Sequence, residues 1–250
     1  MTKTIFAANW KMNHGPPDAR GFLDRFLDEY QHESGREVWF FPPAVSIESV
    51  AQRVARLPGI LVGAQNVYWE PTGAFTGELS VSMAKDAGAR AVLVGHSERR
   101  HVFGETDDET GRKVRAVLDC GMTPLLCVGE TLQERDNGKT LAVIHRQLAA
   151  LDGLGGEPLA RIVVAYEPVW AIGTGKNATP ADAAAVHTAI HSWFEERAAA
   201  DGNVPVLYGG SVKPGNAQEL LSEDEIDGVL VGGASLEPES WQAICAVGLD

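Results

Sequence analysis

The chain has 250 residues, 44% of them apolar and 22% charged, a balance that fits a globular protein with a substantial core. Its 21 basic and 34 acidic residues give a formal charge of −13, which argues against nucleic acid or an anionic membrane as partner. An anionic substrate would therefore need local help. No apolar run reaches the roughly 18 residues of a membrane span, and residues 1–6 enter strand-like sequence without signal-peptide features, so a cytoplasmic location is expected.

Apolar runs at residues 4–8, 37–41, 60–64, 91–94, 123–128, 162–165, 206–208 and 228–231 read as strands. Between them, residues 18–32, 45–56, 106–119, 141–151 and 181–200 carry helical patterning. The last of these follows Thr179-Pro180, an N-cap with proline at the first helical position. No Pro/Ser-rich linker interrupts the chain, so residues 1–250 are expected to form one domain. A strand–helix alternation repeated eight times over this length is an α/β pattern that predicts a closed (β/α)8 barrel, with a doubly wound sheet as the competing arrangement. Cys120, Cys127 and Cys245 lie in apolar runs without zinc or redox spacing and are expected to be buried free thiols.

A barrel gathers its reactive residues where the strands end. Asn9 and Lys11 follow the first strand, Gln65 and Asn66 the third, His96 and Glu98 the fourth, Glu130 the fifth and Glu167 the sixth. Gly209-Gly210-Ser211 follows the seventh and Gly232-Gly233 the eighth. Glu167 stands at the head of Pro168-Val169-Trp170-Ala171-Ile172-Gly173-Thr174-Gly175, a loop stiff at its start and loose at its finish. That suits a positioned general base beneath a movable lid. Lys11 is a candidate cation, with Glu98 as a partner to orient it. If Ser97-Glu98-Arg99-Arg100 begins a helical turn, the positive end of its dipole favours a neutral His96, able to polarise a carbonyl.

Gly173, Ser211, Gly232 and Gly233 fall in loops where barrels bind phosphate through backbone N–H groups. Thr174-Gly175-Lys176-Asn177 lacks the upstream glycine and the hydroxyl residue of a nucleotide P-loop, and His-Ser-Glu-Arg-Arg-His is no zinc motif. Base, neutral donor, cation and phosphate cradle together suit proton abstraction beside a carbonyl on a small phosphorylated substrate.

Asn9-Trp10-Lys11-Met12-Asn13, Gly63-Ala64-Gln65-Asn66, Gly95-His96-Ser97-Glu98-Arg99-Arg100, the Glu167 loop, Tyr208-Gly209-Gly210-Ser211 and Val231-Gly232-Gly233-Ala234-Ser235-Leu236 resemble the triosephosphate isomerase family in order and spacing, over essentially the whole chain. The resemblance implies a TIM barrel that interconverts D-glyceraldehyde 3-phosphate and dihydroxyacetone phosphate through an enediol(ate), without cofactor or metal. It implies Glu167 as base, His96 as carbonyl polariser, and Lys11, assisted by Asn9 and tethered by Glu98, as the substrate-binding cation. The Glu–neutral His pairing is already known for this family. Gly173, Ser211 and Gly233, with Gly232 nearby, would hold the phosphate, and closure of the lid at residues 168–176 would suppress phosphate elimination. Residues 65–77, from Gln65 to Gly77, form an unusually apolar loop with Tyr68, Trp69, Pro71 and Phe75. It resembles the family's interdigitating loop, with Thr76 at its tip reaching a neighbouring subunit near the Asn9–Lys11 region, and so implies a homodimer. The departures from the family pattern are Asn177, His14 and an unremarkable C-terminus. Rival readings are an isomerase of another sugar phosphate and a non-catalytic phosphate-binding barrel.

Overall fold

Eight parallel strands pair in chain order and close, the eighth against the first: β1 (Thr4–Asn9), β2 (Arg36–Phe41), β3 (Ile60–Ala64), β4 (Ala91–Val94), β5 (Thr123–Val128), β6 (Val163–Tyr166), β7 (Val206–Tyr208) and β8 (Gly228–Val231). The structure is a computed structural model and describes residues 3–172, 178–197 and 204–248. Helices follow the strands: α1 (Pro16–Glu29), α2 (Ile47–Val54), α3 (Val81–Asp86), α4 (Ser97–Val102), α5 (Asp107–Asp119), α6 (Leu132–Asp136), α7 (Thr140–Leu148), α8 (Glu157–Ala160), α9 (Pro180–Glu195), α10 (Pro214–Leu221) and α11 (Pro238–Cys245). Among the described residues, no helix is long and apolar enough to cross a membrane.

The strand boundaries follow the apolar runs closely, because a strand buried on both faces needs apolar residues throughout. Helix boundaries moved further. The first helix starts at Pro16 rather than residue 18, since Pro16 and Pro17 occupy positions where proline's fixed φ suits a helix and its missing N–H is not needed. Residues 45–56 divide into a 3₁₀ turn (Ala44–Ser46) and α2, and residues 141–151 into α7 and a second such turn (Ala149–Leu151). Cys127 and Cys245 are buried free thiols as expected, but Cys120 is only partly buried. It is the C-cap of α5, one residue past the end of the helix and two past Leu118, the last of its apolar stripe.

Side chains alternate between the two faces of each strand, and the alternation divides the core. Ile5 and Ala7, Trp39 and Phe41, Ala91 and Leu93, Leu125 and Cys127, Val163 and Ala165, Leu207 and Leu230 form the cluster that fills the barrel. Their neighbours, such as Phe6, Phe40, Val92, Leu126, Val164 and Val229, pack in a second cluster with helix residues. Counting on by two from the inner residues sets the floor of the site. The next inward positions are Asn9 on β1, Gly129 after β5, Glu167 after β6, Gly209 after β7 and Gly232 after β8. A further core layer would place bulky side chains there. Three glycines leave room instead, whereas Gly95 after β4 turns towards the helices, where a Cβ would meet Arg100 and Thr110.

Candidate active site

Above that floor lies a cavity of about 250 Å³ bordered by Asn9, Lys11, His96, Glu167, Ile172, Ser211, Lys213 and the glycines at 209, 210, 232 and 233. Glu167 is fixed by its own backbone: its N–H donates to the Val128 carbonyl (2.7 Å), and Gly209 N donates to the Tyr166 carbonyl (2.7 Å). The strands flanking it must be bare for this fit. A Cβ at Gly129 would stand 1.8 Å from the Glu167 carbonyl oxygen, and one at Gly209 would stand 2.7 Å from Glu167 Cγ.

The Glu167 carboxylate is buried and fully engaged. Oε2 accepts from Ser97 N (2.9 Å) and Oε1 lies 3.0 Å from His96 Nε2. Burial alone would raise its pKa, but the His96 contact, the Ser97 amide and the Lys11 charge outweigh it and hold the carboxyl below its ordinary range. Cys127 sits inward on β5 beside this carboxylate. Burial, and next the Glu167 charge, push its thiol well above the usual value, so it stays protonated.

His96 is the N-cap of α4, and its Nδ1 accepts from Glu98 N (3.2 Å). Burial pulls its pKa down, and the Glu167 charge and hydrogen bond pull it up past that. A second proton would nevertheless have to take the Nδ1 lone pair that the Glu98 amide occupies, at the positive end of the helix. This geometry favours the neutral ring with its proton on Nε2, aimed at Glu167.

Lys11 has φ of 52°, the left-handed region that a lysine rarely adopts. The surroundings enforce it: Asn9 Oδ1 accepts from Lys11 N (3.0 Å), and Gln65 Nε2 donates to the carbonyls of Lys11 and Phe41 (2.8 Å each). Such strain costs on the order of 1–3 kcal/mol and gathers where geometry serves function. Lys11 Nζ lies 2.6 Å from Glu98 Oε1. Gly232 borders the lysine stem, since a Cβ there would lie 3.2 Å from Lys11 Cε. Ser211 and Gly233 border the same cavity, while Gly173 lies outside the described residues.

Behind these groups stands a buried ionic brace that the sequence reading passed over. Glu105 accepts from Gly95 N (3.0 Å), Arg99 Nε (2.9 Å) and Lys113 Nζ (2.7 Å), and Lys113 also donates to Asn66 Oδ1 (2.8 Å). Burial raises the Glu105 pKa, but Lys113 and Arg99 bring it below the ordinary value. Lys113 was detectable: with Thr110, Val114, Val117 and Leu118 it completes the i, i+3, i+4 stripe that α5 buries. Glu130, fully buried, accepts from Tyr166 Oη and Trp170 Nε1 (2.9 Å), anchoring the start of the loop after Glu167. Lys213, also passed over, adds a second lysine to the cavity rim. Among the described residues no group of three or more His, Cys, Asp or Glu side chains can hold a metal ion.

A closed barrel with a carboxylate, an imidazole and an ammonium around one glycine-floored mouth belongs to the barrel enzymes that act on small polar substrates. Residues 4–248 match the family model described as triosephosphate isomerase. Curated proteins named triosephosphate isomerase are similar over almost the full length of both chains. That of Symbiobacterium thermophilum is 51% identical, covering 98% of this chain and 97% of its own. Those of Roseiflexus sp. and Aquifex aeolicus are 47% and 46% identical, covering 98% and 97% of this chain and 97% and 98% of theirs. The chain belongs to the triosephosphate isomerase family and is an isomerase of triose phosphates.

Proposed function

We propose that Glu167 is the base that moves a proton between the two carbons interconverting D-glyceraldehyde 3-phosphate and dihydroxyacetone phosphate. The observation that carries this is the 3.0 Å contact between buried Glu167 and His96 at the wall of a cavity that Lys11 also borders. Without substrate, the carboxylate and the Nε2–H satisfy each other. A substrate carbonyl competes for that Nε2–H, while the carboxylate leaves the Ser97 amide to face the adjacent C–H. Losing those hydrogen bonds in a site closed to water makes the carboxylate more basic when a carbon acid must be deprotonated. Neutral His96 then donates to the oxygen that gains charge, and Lys11, held by Glu98, supplies the nearby positive field.

Asn9 acts by holding the Lys11 backbone. The amides at Ser211, Gly232 and Gly233 are suited to the phosphate, because the first N–H groups of a short helical turn have no acceptor inside it. Gly233 opens such a turn, Gly233–Ser235. The family resemblance adds Gly173, outside the described residues, to this role. Isomerisation in D2O tests the base directly: enzymatic product should carry deuterium on the carbon beside its carbonyl, and Glu167→Gln should abolish that incorporation while leaving the fold intact. Product free of deuterium, or unchanged incorporation in the variant, would remove Glu167 from the role.

A homodimer is part of the proposal. Among the described residues, exposed large apolar side chains gather on segments that follow the first four strands: Met12, Val45, Phe75, Met83, Val102 and Phe103, with Leu132 and Leu141 after β5. Residues 71–78, including Thr76, are exposed. A second copy of the chain is the occupant that the family loop suits, and light scattering should give twice the chain mass. The unpaired cysteines fit a reducing, cytoplasmic compartment.

A further inference from the structure

His14 is one of two non-glycine residues with positive φ among the described residues; the other is Lys11. Its φ of 62° is tolerated by histidine better than by most side chains, and four contacts hold it there. The ring lies edge-on to fully buried Trp10, with centroids 4.8 Å apart, and against Phe22 of α1 at 5.5 Å. The buried Ser46 hydroxyl donates to the His14 carbonyl (2.8 Å). From the segment after β1 to the neighbouring one after β8, His14 Nε2 donates to the Leu236 carbonyl (3.1 Å).

That carbonyl closes the turn whose opening residues border the cavity. Ser235 roots the turn on β8, donating to the carbonyls of Val231 (3.0 Å) and Gly232 (2.7 Å), and Leu236 N donates to Gly233 O (3.2 Å). The far end is held by His14, three residues beyond Lys11. One side chain therefore ties the loop that carries the cation to the turn that offers the amides. We infer that His14 is a positioning residue that fixes the spacing between Lys11 and the Gly232–Gly233 amides, and thereby the grip on the phosphate group. The inference rests on the phosphate-binding reading above.

Inorganic phosphate as a competitive inhibitor tests it, in the full-length parent and in His14→Asn and His14→Gly. Asparagine keeps a residue at ease with positive φ but cannot span the distance that the imidazole spans, and glycine also frees the backbone. Both variants should raise the Ki of phosphate and the KM of substrate roughly fivefold, the factor of one neutral hydrogen bond. kcat should fall by no more than KM rises, because the shift reaches Lys11 while Glu167 and His96 sit on other strands. Residual fold is checked by circular dichroism, and should the glycine variant not fold, the asparagine variant decides. A lower thermal midpoint with unchanged Ki would mean that His14 only packs, which overturns the inference, as would a fall in kcat with KM unmoved. If phosphate fails to compete even in the parent, the phosphate reading of the cavity fails and the His14 role with it.

Discussion

The barrel's two halves are built for different tasks. The segments following β1 to β4 supply the fixed charges and donors, Asn9, Lys11, Gln65, His96 and Glu98, together with most of the exposed apolar side chains. The segments following β5 to β8 supply Glu167 and the bare glycine positions 129, 209, 232 and 233. In the first half, side chains are over-determined by polar contacts, from the Gln65 clamp on Lys11 to the Glu105 brace behind Gly95. In the second, backbone closeness does the positioning, and missing side chains make the room. Charged groups need partners to hold still, whereas space for a substrate needs atoms left out.

The largest expected effect strikes the brace of the first half. Lys113→Ala leaves the buried Glu105 carboxylate with only Arg99 and the Gly95 amide, and should cost about 3 kcal/mol in stability, read from the denaturant midpoint. An unchanged midpoint would mean that the brace is incidental. In the second half, Glu167→Asp withdraws the carboxylate by about one bond length, and a misplacement of that size costs roughly 10²-fold in rate. Near-parental kcat would show that positioning there is less strict than the glycine fit requires.

Phe103→Asp probes the apolar skin of the first half. It should weaken self-association by about 2 kcal/mol, read as a shift from dimer towards monomer in dilution light scattering. The same change should lower kcat, since the loops that the proposed dimer would cover carry Lys11 and His96. Retained association would remove this face from the interface.

A pH slope probes the second half once more. His187, buried in α9, donates from Nδ1 to the Glu225 carbonyl (3.0 Å), and no acceptor faces its Nε2 among the described residues. Burial pushes its pKa down to about 3 from an ordinary 6.5. The folded protein thus keeps this ring neutral where the unfolded chain would protonate it. The associated stability is complete above pH 6.5 and declines below it by about 1.4 kcal/mol per pH unit for one proton, ending near pH 3. Denaturation between pH 7 and 5 should show a steeper acid loss in the parent than in His187→Gln. Equal slopes would refute the assignment.

Much of this was legible in the sequence because barrel strands are continuous apolar runs and reactive residues must follow them. Glu167 and His96 stood out as polar residues at strand ends, weak singly and telling only beside Lys11 and the glycine loops. The glycine floor was also readable, by counting inward positions past Leu207 or Leu230, yet single glycines pass for ordinary turns until the strand parity is applied. The brace was harder. Glu105 lies in a short connection between α4 and α5, and nothing local marks it as buried until Lys113 is seen within the apolar stripe. His14 stood out only as a departure from the family pattern, since its hydrogen bond joins residues 222 apart in sequence. Long-range polar contacts leave no periodicity to read.

The most direct test of the account is the rate of D-glyceraldehyde 3-phosphate isomerisation in Glu167→Gln beside the parent, with dimer content matched by light scattering. Loss of the general base should lower kcat by roughly 10²–10⁴-fold with the substrate still bound. A variant turning over within about tenfold of the parent would contradict the assignment of Glu167 as the base around which the cavity is arranged.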